Sequence, residues 1–258
     1  MKKLYLIAAL VLTTLAANAQ QKLYLSTYNG TDIAKYDGKS CDVTVNRQMF
    51  KGWNTVALPF AMSEQELNET FGADCRLEKL VGAEQTARGI QLNFQDCKAG
   101  GIQANTPYIL YYTGETGNCK ITKEAVITDE VASLSYTTQN GETVTMGGVQ
   151  KHISGIGLYG VLAVDNQEAK FVKVGENTNG FYATRCFVQL SSGNETPLTT
   201  RHLASGEVTS IQSVVAGNDV VDVYSTSGTK VSSKVNASQL NSLKPGIYVV
   251  KGQKVLVK

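Results

Sequence analysis

The chain has 258 residues, of which 24 are lysine or arginine and 22 are aspartate or glutamate, and its formal net charge at pH 7 is +2. A chain so close to neutral has no long-range field to steer it onto nucleic acid or an anionic membrane, which argues against both as partners. Hydrophobic residues make up 42% of the chain, enough for the cores of one large or two small globular domains.

Residues 1–19 have the pattern of a cleavable export signal. A basic start and an apolar run over residues 4–15 precede Ala17 and Ala19, the small residues expected at the −3 and −1 positions of a cleavage site. The apolar run is too short to cross the ~30 Å hydrocarbon core of a bilayer. We therefore expect a secreted mature chain that begins at Gln20 and has no membrane-spanning segment.

Short runs rich in Val, Ile, Tyr and Thr recur from residue 22 onwards, and turn dipeptides such as Asn-Gly and Gly-Gly separate them. This spacing is typical of an antiparallel β-sandwich or barrel-like domain and not of βαβ units. We therefore predict an all-β fold. The first domain should contain strands over residues 23–25, 43–45, 54–58, 108–112, 121–127, 143–146, 158–164, 171–174 and 187–190.

One short helix is predicted after residue 62. Ser63 and Glu66 have the spacing of a capping box, in which each side chain accepts a hydrogen bond from the other residue's backbone N–H. Leu67 and Phe71 then form an apolar stripe, and Gly72 ends the helix. We expect a packing helix at the edge of a sheet and no ligand role for it.

The chain has five cysteines, so an oxidising compartment allows two disulfides and leaves one thiol. Cys75 and Cys97 bracket two apolar runs, residues 77–81 and 90–94. If these runs form a hairpin centred near Thr86, the two cysteines face each other within the ~7 Å Cα separation that a bridge requires. We predict this disulfide, a buried free thiol at Cys186, and no assignment for Cys41 and Cys119.

Sequence motifs for catalysis or cofactor binding are weak. Residues 155–160 match the GxGxxG pattern of dinucleotide-binding proteins, but the run after them, residues 161–164, reads as a strand rather than a helix. The only histidines, His152 and His202, have no cysteine or carboxylate at catalytic or metal-ligand spacing. We therefore predict a glycine-rich turn at residues 155–160, no catalytic residues, no metal site and no cofactor.

Aromatic residues offer the remaining evidence for a binding role, because rigid rings bury a large area at low entropic cost. Tyr108, Tyr111 and Tyr112 follow Pro107, and Trp53 is the only tryptophan. Strand alternation places Trp53 in the core and leaves Tyr111 as a possible binding aromatic.

A domain boundary is predicted near residues 203–213, where the sequence becomes small and polar. Beyond it, strand patterns recur over residues 220–224, 230–235, 247–250 and 255–257, with turns at Ser227-Gly228 and Pro245-Gly246. We therefore expect a first domain over residues 20–206 and a small C-terminal β-sandwich over residues 207–258.

Several blocks of the first domain resemble a β-sandwich module of secreted and outer-surface Bacteroidetes proteins of the adhesin type. The resemblance covers about residues 22–200 and implies a location more than an activity. It is carried by residues 43–47, 52–60, 71–72, 92–94, 104–109 and 185–188.

The tail is similar to the C-terminal sorting domain of the type IX secretion system, over about residues 207–258. The matching segments are residues 223–228, 243–250 and 254–258. The resemblance implies delivery to the outer surface or the medium through the type IX machinery, and a periplasmic location if the tail is not used. The residues that carry the sorting motif are Pro245, Gly246, Ile247, Tyr248, Lys254 and Lys258.

We therefore expect an exported, non-catalytic binding or adhesion module with a protein or glycan ligand. The alternative is a secreted hydrolase that acts on glycans or peptides.

Overall fold

The computed structural model describes residues 20–27, 32–162, 169–176, 180–205, 209–210, 220–240 and 243–257. Strands dominate these residues, which confirms the all-β class. The elements up to residue 205 are β1 (Gln21–Ser26), β2 (Ser40–Met49), β3 (Gly52–Val56), α1 (Glu64–Phe71), β4 (Arg76–Thr86), β5 (Gly89–Asp96), β6 (Tyr108–Tyr112), β7 (Gly117–Val126), β8 (Ser133–Thr137), β9 (Thr143–Gly148), β10 (Tyr159–Val161), β11 (Phe171–Lys173), β12 (Cys186–Leu190) and β13 (Leu198–Leu203). The predicted export signal lies outside the described residues.

These strands form three sheets. The N-terminal sheet has the order β1-β2-β7, the central sheet β13-β5-β4-β6-β3, and the third sheet β11-β10-β12-β9-β8. Neighbours are antiparallel, as predicted, except at two sheet edges, where β1 runs parallel to β2 and β13 runs parallel to β5. A parallel pair needs a long connection, and both edge strands join their neighbours through long stretches of chain.

The central sheet is buried on both faces. Along β6, Tyr108 and Leu110 belong to one apolar cluster, with the N-terminal sheet and α1, while Ile109 belongs to a second cluster, with the third sheet. Tyr111 packs against the second cluster and Tyr112 against the first. Burial on both faces explains why β6 is uninterrupted apolar and aromatic sequence rather than an alternation with polar residues. The result is a layered sandwich with two cores.

Helix α1 forms with the predicted caps. The Ser63 hydroxyl accepts a hydrogen bond from the Glu66 N–H at 3.3 Å, and the Glu66 carboxylate accepts one from the Ser63 N–H at 2.7 Å. Leu67 and Phe71 are buried in the first cluster, and Gly72 ends the helix with φ +95°. The predicted packing helix is therefore confirmed.

The predicted hairpin of β4 and β5 forms, but its register differs from the expected one. The turn pairs Thr86 with Gly89, so its centre lies beyond Thr86, and one bulge in β4 shifts the strands further. The backbone N–H of Cys97 donates to the carbonyl of Leu77 at 2.9 Å, so Cys97 lies opposite Leu77 rather than Cys75. The face-to-face placement of Cys75 and Cys97 is therefore wrong, and the structure describes all five cysteines as free thiols.

The tail forms a separate sheet with the order β14-β18-β17-β15-β16. The four strands predicted there are confirmed. Its apolar cluster includes Val223, Leu240, Val250 and Val255, and none of its members comes from the described residues before position 221. Its elements are β14 (Thr209–Ser210), β15 (Val221–Ser225), β16 (Lys230–Val235), α2 (Ala237–Leu240), β17 (Gly246–Val250) and β18 (Gln253–Val257).

The predicted boundary between residues 206 and 207 lies outside the described residues and stays a prediction. None of the helices in the described part of the chain is long and apolar enough to cross a membrane.

Candidate functional site

A cavity of about 330 Å³ opens between the β2–β3 segment and the β10–β11 pair. Its volume is near the lower end of the range for ligand pockets, roughly 300–1,000 Å³. We call it the Trp53 cleft. The residues that line it include Thr27, Gln48, Phe50, Trp53, Asn54, Thr55, Gly160, Leu162, Val172, Phe181, Tyr182 and Arg185.

Apolar and aromatic side chains form much of the cleft. Leu162 and Val172 are 38% and 37% exposed, a high fraction for large apolar side chains. The rings of Phe50 and Tyr182 are half-buried, and that of Phe181 is buried. The cleft therefore presents flat apolar surfaces that a ligand could cover.

The glycine-rich run beside the cleft forms a turn against which other side chains pack closely. The N–H of Leu158 donates to the carbonyl of Gly155 at 2.9 Å, and β10 follows directly, which confirms the predicted turn. A Cβ on Gly155 would lie 2.7 Å from the Val174 side chain, and one on Gly160 would lie 3.2 Å from the Phe181 ring. These glycines therefore allow neighbouring side chains to approach the backbone closely. A strand and not a helix N-terminus follows the turn, so the run lacks the geometry that binds a phosphate.

Polar groups occupy the β2–β3 side of the cleft. The Asn54 side chain is used within its own turn, because it accepts from the Phe50 N–H at 3.0 Å and donates to the Phe50 carbonyl at 2.7 Å. Arg185 Nη2 donates to the Gln48 carbonyl at 3.3 Å. The side-chain amide of Gln48 makes no hydrogen bond to any residue that the structure describes, so it can both donate to and accept from a ligand.

The wall that carries Tyr182 and Arg185 is held by a buried arginine. Arg47 is 2% exposed; its Nη1 donates to the Thr184 carbonyl at 2.6 Å, and its Nη2 donates to the Thr55 carbonyl at 2.8 Å. We call these three residues the Arg47 clasp. Thr184 has a left-handed backbone, φ +70°, which the clasp helps to hold. Burial, and then the charge of Arg185, lowers the pKa of Arg47 to about 9.

A second charged group lies behind Trp53. Glu78 is 1% exposed, and its two carboxylate oxygens are 2.5 Å from Arg76 Nη2 and 2.6 Å from His202 Nδ1. We call Arg76, Glu78 and His202 the Glu78 cluster. The His202 ring stacks on Trp53 at 4.7 Å, the Arg76 guanidinium lies 4.8 Å from the same indole, and Tyr111 meets it edge-on at 5.3 Å. Trp53 is therefore fixed between the cleft and the cluster.

The other side of the His202 ring faces a hydroxyl group. Thr200 Oγ1 is 3.3 Å from His202 Nε2, which gives a carboxylate–imidazole–hydroxyl sequence like that of hydrolytic triads. However, the Thr200 hydroxyl donates to the Ala169 carbonyl at 2.8 Å, and the Ala169 N–H points to Nε2 at 3.4 Å. In this geometry the hydroxyl proton is directed away from the imidazole that would have to accept it.

The structure divides the aromatic residues singled out in the sequence between the two cores, with Tyr108 and Tyr112 at the first cluster and Trp53 and Tyr111 at the second. Trp53 is 1% exposed, which confirms its predicted burial. Tyr111 is half-buried against Trp53, with the Arg76 guanidinium 6.0 Å from its ring, and is not among the residues that line the Trp53 cleft. Cys186 is buried as predicted, and burial raises its pKa to about 12.

The residues of the sorting motif lie on the tail sheet or just before it. Ile247 is 45% exposed, Pro245 and Lys254 are exposed, and the Tyr248 hydroxyl donates to the Lys244 carbonyl at 2.9 Å. Gly246 begins β17. Lys258 lies outside the described residues. The structure assigns these residues no binding partner, and the sorting role stays a prediction.

Sequence reasoning missed the polar and aromatic residues of the cleft and the Glu78 cluster. Glu78 and His202 are 124 positions apart, and β13, the strand that carries His202, was not predicted. An alternation of Leu198, Thr200 and His202 was the available signal for that strand.

Within the part of the chain that the structure describes, no three histidine, cysteine or acidic residues lie close enough to hold a metal ion. Comparisons with protein-family models, curated proteins and solved structures gave no match. The two resemblances noted in the sequence are therefore neither strengthened nor contradicted, and the function has to be argued from the site.

Proposed function

We propose that this protein is an exported, non-catalytic binding module, and that the Trp53 cleft is its binding site. The observation that carries the proposal is the combination of half-buried aromatic rings with the uncommitted Gln48 amide in one cavity. Ligand sites are usually apolar and aromatic concavities with a few polar groups that fix orientation. The cleft fits this description.

The Arg47 clasp and the Glu78 cluster support a binding role because they hold the walls of the Trp53 cleft in place before a ligand binds. Arg47 fixes the segment of Tyr182, and the Glu78 cluster fixes Trp53. A preorganised site loses less conformational entropy when a ligand binds. Arg76, Glu78 and His202 are engaged with each other, which favours binding over proton transfer at this cluster.

The test is a screen of glycans and extracellular matrix proteins with the chain from residue 20 to its C-terminus. The variants are Phe50→Ala and Tyr182→Ala, and the matched control is Tyr24→Ala, since Tyr24 is 51% exposed on β1. We expect the cleft variants to weaken binding by about tenfold or more through lost aromatic contact, and the control to bind like wild type. Equal binding by all four proteins would place the ligand elsewhere, and no binding by wild type would reject the proposal.

We further propose that the tail directs the protein to the cell surface through the type IX machinery. The support is the resemblance of residues 243–258, together with the exposure of Ile247 and Lys254. In a host with that machinery, removal of residues 207–258 should leave the protein in the periplasm, as surface proteolysis of whole cells would show. A truncated protein that still reaches the surface contradicts this role.

A secreted hydrolase is the second candidate, favoured by the Glu78–His202–Thr200 arrangement. It predicts hydrolysis of glycan, peptide or ester substrates that Thr200→Val abolishes while the protein stays folded. Turnover by wild type that Thr200→Val removes would establish it. Absence of turnover, or turnover equal in both proteins, would count against it.

A further inference from the structure

We propose that two copies of this chain associate edge to edge through β7, so that their two N-terminal sheets join into one continuous sheet. The inference rests on a long strand edge that the fold leaves free, and on side chains along it that are complementary to a second copy of the same edge. The Trp53 cleft and its ligand play no part in it.

β7 is an outer strand of the N-terminal sheet, and it has ten residues, Gly117–Val126. It pairs with β2 along its whole length and with no other strand that the structure describes. An extended strand of this length has an edge of about 33 Å. A free edge presents backbone N–H and C=O groups to another strand, and it is therefore a surface through which chains pair.

The pairing with β2 shows which backbone groups of β7 face outwards. The Thr27 N–H donates to the Asn46 carbonyl at 3.2 Å, so the backbone of Asn46 points towards β1 and away from β7. Asn46 lies opposite Lys120 in the antiparallel register. Since hydrogen-bonded and non-hydrogen-bonded pairs alternate, the N–H and C=O of Lys120 and of every second residue of β7 point to the free edge. These residues, all of them exposed and without a hydrogen bond across that edge to any residue that the structure describes, are Asn118, Lys120, Thr122, Glu124 and Val126.

The charges along this edge lack a cation beside Glu124. Glu124 lies directly opposite Asp42 of β2, and like charges in this position are unfavourable. Asp42 has Lys22 of β1 opposite it on its other side. Glu124 forms no ion pair within the part of the chain that the structure describes. A lysine on a strand added to the free edge would balance it.

A second copy of β7 supplies that lysine. An antiparallel pairing of β7 with its own copy is symmetric, so each contact occurs twice. The pairing that uses all of the outward-facing residues has its centre at Thr122, and it places Lys120 of each copy directly opposite Glu124 of the other. Every other centre leaves some of these residues unpaired and loses both charge pairs. The edge is therefore complementary to itself, which favours a second copy over an unrelated extended peptide as the partner.

The inner face of β7 does not oppose this pairing. Lys123 is the charged residue there, and its Nζ donates to Glu66 Oε1 at 2.6 Å and to the Ala61 carbonyl at 2.9 Å. Inward-pointing charges protect sheet edges from pairing, but this charge is already balanced within the chain. At the end of the strand, Val126 is 64% exposed, and pairing with Asn118 of the other copy would cover part of it.

The first experiment measures association by sedimentation velocity for the chain from residue 20 to its C-terminus. It covers a roughly thousandfold range of concentration, because the dimer population depends on concentration. The variants are Lys120→Glu, Glu124→Lys and the two combined, and the matched control is Arg88→Glu in the exposed β4–β5 turn. Circular dichroism of dilute protein checks the fold. These substitutions should leave it unchanged, because neither Lys120 nor Glu124 has an ion pair within the described part of the monomer.

We expect wild type to form a dimer that added salt weakens. Each single variant should weaken association by about tenfold or more, because it sets like charges opposite each other twice. The combined variant exchanges the two charges and restores both pairs, so it should associate like wild type. Arg88→Glu should also associate like wild type.

A second experiment tests the register through disulfide formation. Thr122→Cys places two thiols at the symmetry axis, where Cα atoms of a hydrogen-bonded pair are about 5.5 Å apart, within the range of a bridge. Asn118→Cys is the matched control, because Asn118 is exposed on the same edge but would lie about 27 Å from its own copy. Mild oxidation should cross-link Thr122→Cys far more than Asn118→Cys, and wild type reports the background from the five native cysteines.

A wild type that stays monomeric throughout the concentration range overturns the inference. A dimer that the two single variants do not weaken, or that the combined variant does not restore, also overturns it, since the contact would then lie elsewhere. Equal cross-linking of Thr122→Cys and Asn118→Cys contradicts the register and the charge pairs that depend on it. None of these outcomes affects the proposal of ligand binding at the Trp53 cleft.

Discussion

The two buried charged groups on either side of β3 are treated differently by the fold. Glu78 is balanced inside the protein, because Arg76 and His202 each contact one of its carboxylate oxygens. Among the residues that the structure describes, Arg47 donates only to neutral oxygens. Removing one partner of a buried ion pair leaves an uncompensated charge, whereas replacing a buried charge that has no ionic partner by an apolar side chain costs little. The contrast therefore predicts different costs for replacing the two groups.

The largest effect is expected at Trp53, which contacts both the cleft and the Glu78 cluster. Trp53→Ala should lower the free energy of unfolding by about 3–5 kcal/mol, because it leaves a large cavity beside two cores. Urea unfolding followed by circular dichroism measures this, with Trp53→Phe as the milder control. A loss below about 1 kcal/mol would show that the indole is not a core residue.

The next largest effect on the free energy of unfolding is expected at Glu78. Glu78→Gln removes the charge that balances Arg76 and weakens the contact with His202, and should lower the free energy of unfolding by about 3 kcal/mol. Double-mutant cycles with Arg76→Gln measure how much of this belongs to the Arg76 pair. Since 44% of the Arg76 side chain is accessible, we expect the Arg76 contact to contribute less of this loss than the His202 contact. Full additivity of the two substitutions would contradict the coupling.

Arg47→Met should cost much less, about 1 kcal/mol or nothing, because an apolar side chain of similar length removes a buried charge that no carboxylate balances. The local effect should be larger than the global one, since the Thr184 and Thr55 carbonyls lose their donor. Hydrogen exchange should rise around residues 182–185. A global loss equal to that of Glu78→Gln would contradict the contrast between the two groups.

Among the charged groups, the smallest effect on the free energy of unfolding is expected at a partly exposed ion pair. Lys123 Nζ donates to Glu66 Oε1 at 2.6 Å, and this hydrogen bond is the main reason that the pKa of Glu66 is lowered. A lowered carboxyl pKa stabilises the fold above the ordinary glutamate pKa, and the contribution disappears as pH falls through the lowered value. Lys123→Met should therefore cost about 0.5 kcal/mol near pH 7 and nothing near pH 2.

The control for this pair is Lys120→Met, an exposed lysine on the same strand, which should have no effect at either pH. A cost for Lys123→Met that persists at low pH would assign the contribution to packing of the lysine stem or to the hydrogen bond that Lys123 Nζ donates to the Ala61 carbonyl at 2.9 Å.

A reducing agent should not change the free energy of unfolding. Cys75 and Cys97 are free thiols, and burial raises the pKa of Cys97 to about 12, so little thiolate is present at neutral pH. A bridge between them would stabilise the fold by about 3 kcal/mol in the chain-entropy model. Unfolding in urea with and without dithiothreitol measures this, and a large loss on reduction would restore the bridge that the hairpin register disfavours.

The sequence predicted elements whose signals are local. The α1 capping box, the turn at residues 155–160 and the strand Tyr108–Tyr112 each follow from neighbouring residues, and all are confirmed. The hairpin of β4 and β5 was predicted with the wrong register, because a turn displaced by one or two residues and a single bulge leave no clear trace in the apolar pattern.

The site could not be predicted in the same way. Glu78 and His202 meet only because β13 adds in parallel to β5, far along the chain from β4. Arg47 reads as an ordinary polar position of an alternating strand, and only the packing of the Thr184 turn against it shows that it is buried. Residues brought together by long-range strand pairing have no local sequence signal.

The most direct test of the Trp53 cleft as the binding site uses the single tryptophan of the chain. A two-dimensional ¹H–¹⁵N spectrum of the chain from residue 20 contains one indole N–H signal, that of Trp53. We predict that this signal shifts in a saturable manner as a ligand found in the screen is added, with the same affinity as calorimetry gives. Saturable binding that leaves the Trp53 signal unchanged would contradict the account.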